Sequence, residues 1–201
     1  MYEVELRALV KDFNSVKNKI STLAQNTESD SREVTVFMFN PHKEDFELRL
    51  RLQKNRAFLN FKESMDKTAR KEIESDVANP SAMYELLLNS GFKIKQIIAR
   101  TKYSYKHDKF DILLNRIAEW GDAIEVERCV ENEENAEKIE SEIKEFMTNN
   151  LGIPELLSKE TLKKMNVEYQ SKIDFNKISI IDLIDYVNHR KEDIKFISRH
   201  S

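Results

Sequence analysis

Charged and aliphatic residues alternate through residues 2–10, Tyr-Glu-Val-Glu-Leu-Arg-Ala-Leu-Val, with the period of a strand. Residues 12–23 then set Phe13, Val16, Ile20 and Leu23 on one helical stripe, with Asp12 or Asn14 as N-cap. Composition makes 26–32 a loop. The β-branched and aromatic run 34–39 reads as a strand that Asn40-Pro41 ends. Residues 46–52 alternate again and 57–62 return after a short turn, the pattern of a hairpin, and another alternating stretch lies in 69–77. Asn79-Pro80-Ser81 opens a helix that should bury Met83, Leu86 and Leu87, and Ser90-Gly91 stops it. Three strands are expected at 93–105, 109–114 and 123–130. Helices are expected at 133–150, 154–165 and 179–189, the last with Ser179 as N-cap and Asp182 completing a capping box. No long helix separates successive strands within a group, so the strands should pair antiparallel.

Composition narrows the class. With 201 residues the chain can bury one sizeable core or two small ones. Its 33 basic and 36 acidic residues give a net charge of -3, which argues against a general nucleic-acid coat but allows a local basic pocket. No window approaches the roughly 18 apolar residues of a membrane span. The start, Met1-Tyr2-Glu3-Val4-Glu5, lacks the basic-then-apolar order of a signal peptide, and the single Cys129 cannot form an internal disulfide. A single-domain cytoplasmic protein is the expectation. His42, His107, His189 and His200 have no metal-ligand spacing and read as surface residues. Three glycines can hardly supply a phosphate-cradling loop.

The chemistry lies in charge spacing. Residues two apart on a strand share a face. Like charges stand two apart on predicted strands five times: Glu3/Glu5, Glu72/Glu74 and Glu125/Glu127 are acidic, Arg49/Arg51 and Arg100/Lys102 basic. Each pair alone fits the solvated face of a half-buried strand. Together they form faces segregated by sign, and like charges on one face repel. A closed barrel would offset that repulsion if charged strands faced an interior holding a ligand of both signs. A polyphosphate with divalent metal fits, because guanidinium and ammonium groups grip phosphate oxygens while carboxylates grip Mg²⁺ or Mn²⁺.

Glu3-Val-Glu-Leu-Arg7 resembles the ExExK strand of the CYTH superfamily, the triphosphate tunnel metalloenzymes. The likeness continues in order through Leu48-Arg-Leu-Arg51, Phe58-Leu-Asn-Phe-Lys62, Arg70-Lys-Glu-Ile-Glu74, Leu88-Asn-Ser-Gly-Phe92, Arg100-Thr-Lys102-Tyr103, Asp111 and Gly121-Asp-Ala-Ile-Glu125-Val-Glu127. It covers about residues 1–150. The resemblance implies an α+β fold, an eight-stranded antiparallel β-barrel forming a tunnel with helices packed outside. It implies one domain over 1–201, with a barrel core of about 1–150 and a C-terminal helical extension of about 155–201. Carried over position by position, Glu3, Glu5, Glu125 and Glu127 become ligands of Mg²⁺ or Mn²⁺. Arg7, Arg49, Arg51, Lys62, Arg100 and Lys102 become triphosphate-binding residues. Arg7, Lys62, Glu72, Glu74 and Asp111 become the catalytic set, with Glu72, Glu74 and Asp111 lining the lumen as metal or water ligands or as partners orienting the basic side chains.

Two activities share that machinery: a class IV adenylyl cyclase, making cyclic AMP and pyrophosphate from ATP, and a triphosphatase acting on ATP, thiamine triphosphate or tripolyphosphate. A binding module that holds polyphosphate or a nucleotide without turnover is the alternative from another class. A homodimer stays open; no membrane or nucleic-acid partner is expected. The sequence departs from the family pattern at Arg7, where lysine is usual, and in the reversed order Arg100-Thr-Lys102. Both departures keep positive charge, but arginine does not give up its proton as lysine can.

Overall fold

The computed structural model describes residues 2–63, 72–118, 120–130 and 136–189. Its elements run β1 (Tyr2–Leu9), α1 (Phe13–Leu23), β2 (Gln25–Asn40), β3 (Lys43–Gln53), β4 (Arg56–Glu63), β5 (Glu72–Asp76), α2 (Pro80–Asn89), β6 (Lys93–His107), β7 (Phe110–Ile117), β8 (Gly121–Val130), α3 (Ala136–Glu145), α4 (Lys159–Lys172) and α5 (Ile180–Asn188). Hydrogen bonds order the strands β1-β8-β7-β6-β2-β3-β4-β5. The pairings with a defined register are antiparallel, as the lack of intervening helices demands. The expected eight antiparallel strands with accompanying helices are all present. The hydrogen-bonded order is open, with β1 and β5 at its ends, so among the described residues hydrogen bonds do not close it into a ring.

Cα proximity groups the chain into two compact units, 1–31 with 101–166 and 32–100 with 167–201. Strands β2 and β6 run through both. In the first unit, Ala8, Ile112, Leu114, Ile124 and Val126 point to one face of β1, β7 and β8. That face is covered by Phe13, Val16 and Ile20 of α1 and by Ile139 and Ile143 of α3. The α1 stripe forms as its spacing predicts, and the Asp12 carboxylate accepts from the Ser15 backbone N–H at 2.9 Å, closing the N-cap. In the second unit Val34, Val36, Met38, Leu48, Leu50 and Leu52 form the apolar face. Helix α5 packs on β3 and buries Leu183, Tyr186 and Val187. The Tyr169 hydroxyl of α4 donates to the Ile97 carbonyl at 2.6 Å, and the Ser179–Asp182 capping box forms as expected.

Three local expectations fail for identifiable reasons. Residues 26–32 continue β2 rather than looping, because their polar groups find partners: Asn26 donates to the Ser104 carbonyl, and Glu28 pairs with Lys102 at 3.3 Å. Asp30 inside this stretch takes φ 56, a left-handed conformation to which aspartate is better suited than most residues. Helix α2 buries Tyr84 and Leu87 and leaves Leu86 58% exposed, because the covered stripe falls one position away from the predicted one. Helix α4 begins at Lys159, not at 154; before it, the Leu157 N–H donates to the Arg7 carbonyl on β1. His107 lies at the surface as expected but is partly covered. It stacks on Phe146 at 4.9 Å, and its Nδ1 lies 2.7 Å from the Leu23 carbonyl.

Candidate functional site: two charged faces

In the first unit, register sets the charged side chains in rows. Glu5 lies opposite Glu127, and Glu127 opposite Asp111; Arg7 lies opposite Glu125, and Glu125 opposite Leu113. Cross-strand partners share a face, so the acidic positions two apart on β1 and β8 gather on the side away from the apolar core. Carboxylate oxygens of Glu5, Glu125 and Glu127 all lie within 4.8 Å of one another. Arg7 Nη2 bridges two of them, at 2.8 Å from Glu5 and 3.5 Å from Glu125. Its Nε is buried without a hydrogen-bond partner among the described residues, a donor available to an incoming acceptor.

Asn115 braces this cluster. It is completely buried on β7, and its Nδ2 donates to Glu125 Oε1 at 3.2 Å while its Oδ1 has no hydrogen-bond partner among the described residues. Sequence reasoning missed it; the signal available was a lone polar residue in the apolar run Ile112-Leu-Leu-Asn115, in phase with Asp111. Asp111 itself stands outside the three-carboxylate group and takes both bonds from Lys106 Nζ, at 2.8 and 2.7 Å. Lys102 is mostly buried beside Glu28. Glu3 pairs with Cys129 in the backbone register, but its side chain lies outside the described ones.

Three oxygen donors this close suit a hard divalent cation. The residues present therefore fit Mg²⁺ or Mn²⁺.

In the second unit one face carries the basic set. Thr35, Arg51, Phe58 and Asp76 form one cross-strand row, and Phe37, Arg49, Asn60 and Glu74 the next. Glu47, Lys62 and Glu72 are aligned beyond them; the side chains of Lys62 and Glu72 lie outside the described ones. Arg49 donates to Glu47 at 2.8 Å and covers the Phe37 ring, its guanidinium carbon 5.1 Å from the centroid. Arg51 reaches Glu74 at 3.5 Å, and its Nε is a second buried guanidinium donor with no partner among the described residues. Arg100 joins this face through Glu33, whose register partner is Gln53. Residues two apart therefore share a face on β1, β3, β5 and β8, the premise on which the charge-spacing reading stands.

With this geometry in place, the comparisons fall into line. The CYTH domain model matches residues 1–160. The chain belongs to the CYTH family. Among solved structures, this CYTH protein is similar to a protein from Pyrococcus horikoshii with 27% identity, 79% of this chain and 93% of that one covered, and a TM-score of 0.63. A second protein of that organism gives 22% identity, 83% and 99% coverage and a TM-score of 0.69. A candidate adenylyl cyclase from Hippeastrum, described as having a dominant triphosphatase activity, gives 16% identity, 82% and 95% coverage and a TM-score of 0.58. No curated protein matches the chain. Among the described residues, no helix is long and apolar enough to cross a membrane.

Proposed function

We propose that this CYTH protein is a divalent-metal-dependent triphosphatase, cleaving the terminal phosphoanhydride bond of a triphosphate. The observation that carries the reading is the three-carboxylate cluster of Glu5, Glu125 and Glu127, on the same face as Arg7 with its unpaired buried donor. Carboxylates this close repel, and a cation offsets that cost. Bound there, Mg²⁺ or Mn²⁺ would neutralise phosphate charge and make a coordinated water more acidic. Glu3 would complete the acidic set from its place on β1.

The remaining work falls to the chain's own side chains. Arg49, Arg51, Lys62, Arg100 and Lys102 take the non-bridging phosphate oxygens, and Arg51 offers an Nε with nothing to bind among the described residues. Fixed guanidinium donors stabilise charge as it develops on the leaving phosphate, where each such donor is worth about 2–4 kcal/mol. Arg7 keeps its proton and acts as an electrostatic clamp rather than as an acid. Glu74 holds Arg51. Glu72 is paired with Lys62 in the backbone register. Asp111, held by Lys106, is an orienting group rather than a metal ligand.

Cyclisation is the second activity this machinery could perform. Hydrolysis is favoured by the aromatic residues on the basic face. Phe37 lies under Arg49 and Phe58 under Arg56, at 5.1 and 4.7 Å, so a guanidinium already occupies one face of each ring on which a base could stack. The candidate adenylyl cyclase of the same fold with a dominant triphosphatase activity points the same way. The test is incubation with Mg²⁺ or Mn²⁺ and, separately, ATP, thiamine triphosphate and tripolyphosphate. Orthophosphate release supports the proposal. Cyclic AMP with pyrophosphate transfers it to a cyclase, and no turnover of any of the three leaves a polyphosphate-binding module.

A further inference from the structure

Arg100 is held by a carboxylate that no charge-spacing argument selects. Glu33 on β2 is only 2% exposed. Its Oε1 accepts from both Nε and Nη2 of Arg100, the former at 2.9 Å, and its Oε2 accepts from Gln53 Nε2 at 2.8 Å. A guanidinium gripped along one edge can no longer turn about its last torsion. The Arg100 side chain keeps 20% exposure, so an anion can still reach part of it. Gln53 sits two residues from Arg51 on β3 and shares its face. The carboxylate therefore offsets Arg100's charge while fixing its direction.

We propose that Glu33, seated by Gln53, is a positioning residue that presents Arg100 to a phosphate oxygen. The inference rests on the triphosphate reading above. A group neutralised by its neighbour adds little to ground-state attraction of an anion. A donor held in place contributes where charge develops during reaction, without reorganisation. Glu33 should thus matter to kcat and not to binding.

The experiment compares wild type, Glu33→Gln, Arg100→Ala and the double variant, using tripolyphosphate as ligand and substrate. Glutamine preserves the shape of Glu33 and can still accept from Arg100, so the fold should survive, with melting temperature shifted by only a few degrees. The expected result is a tenfold or greater fall in kcat for Glu33→Gln with KM unchanged or lowered. The double variant should be no slower than Arg100→Ala, because two residues acting as a unit do not add. A kcat within twofold of wild type, or additive losses in the double variant, overturns the proposal. A purely structural Glu33 would lower the melting temperature and the active fraction with kcat per folded molecule intact, which also overturns it. The Arg100 Nε–H resonance in a ¹⁵N spectrum, assigned by its loss in Arg100→Lys, supplies a readout that needs no turnover. It should move on adding tripolyphosphate to wild type and broaden in Glu33→Gln. If wild type turns over nothing but that resonance responds as stated, the enzyme reading fails and the positioning of Arg100 stands. If wild type turns over substrate and the resonance stays still, the positioning fails alone.

Discussion

The same spacing produces opposite arrangements in the two units. In the first, glutamates two apart on β8 and one on β1 are drawn to within 4.8 Å of each other, with one arginine spread over two of them. In the second, arginines two apart on β3 are kept separate, each tied to its own carboxylate, Arg49 to Glu47 and Arg51 to Glu74. Sharing a face decides only that like charges are neighbours. Whether they converge depends on the counter-charges supplied by adjacent strands. The first unit gathers three carboxylates around a shared arginine and so suits a metal. The second supplies a carboxylate for each arginine and suits a ligand that must compete for them.

The strongest attack on that contrast is to remove convergence. Glu125→Gln with Glu5→Gln should abolish binding of Mn²⁺ followed by electron paramagnetic resonance. Triphosphate turnover should fall about 100-fold or more, in line with loss of a preorganised electrostatic partner. Retained Mn²⁺ affinity would show that the carboxylates are a charged surface and no metal site. Asn115→Leu should have a milder effect of the same sign, because Glu125 Oε1 loses its buried donor.

The second unit depends on a segment outside the matched CYTH region, which ends at 160. Leu183 on α5 is fully buried, and α5 packs on β3, the strand that carries Arg49 and Arg51. Leu183→Ala should cost about 3 kcal/mol, the usual range for a buried leucine truncated to alanine being roughly 2–5 kcal/mol. Amide exchange should then accelerate in β3 and β4 more than in β8. Equal acceleration throughout would mean that the two units do not differ in what stabilises them.

Much of this was legible in the sequence. Alternation marked β1, β3 and β5, a β-branched and aromatic run marked 34–39 of β2, and the caps Asp12, Asn79 and Ser179 marked three helix starts. The residues that converge were legible on β1 and β8 because a period of two is local. What escaped was whatever depends on the neighbouring strand. Asn115 and Glu33 are single polar residues with no partner two positions away, and only register shows that they grip Glu125 and Arg100. Strand β2 through 26–32 escaped for the same reason: its polar side chains are satisfied by groups remote in sequence, such as Lys102 and the Ser104 carbonyl. The C-terminal helices, unplaced by motif, proved to be core elements of the second unit.

A finer test of the second unit replaces one arginine. Arg51→Ala should raise KM for tripolyphosphate about tenfold with kcat reduced less, since a charge-assisted hydrogen bond contributes about 1.5–3 kcal/mol. Arg51→Lys should recover part of the loss, keeping charge but not the planar fork. An unchanged KM would mean that the pairing with Glu74 leaves Arg51 no share in binding.

The smallest effect concerns a carboxylate that its setting does not favour. Asp122, at the start of β8, lies 3.4 Å from Arg116 Nε. Burial nonetheless pushes its pKa above the ordinary aspartate value, and the arginine only partly counters this. Arg116 is engaged elsewhere, its guanidinium carbon 4.1 Å from the centre of the Phe13 ring. A carboxyl whose folded pKa is raised holds its proton more tightly in the native state than in the unfolded chain. Its contribution is then full below the unfolded pKa and declines as pH climbs through the folded one. Asp122→Asn removes that decline. The variant should match wild type near pH 3 and become the more stable protein between about pH 4 and 6, by less than about 1 kcal/mol as befits a partly exposed pair. Thermal melts across that range decide it: a wild type that gains on the variant with rising pH would mean that Arg116 outweighs burial at this site.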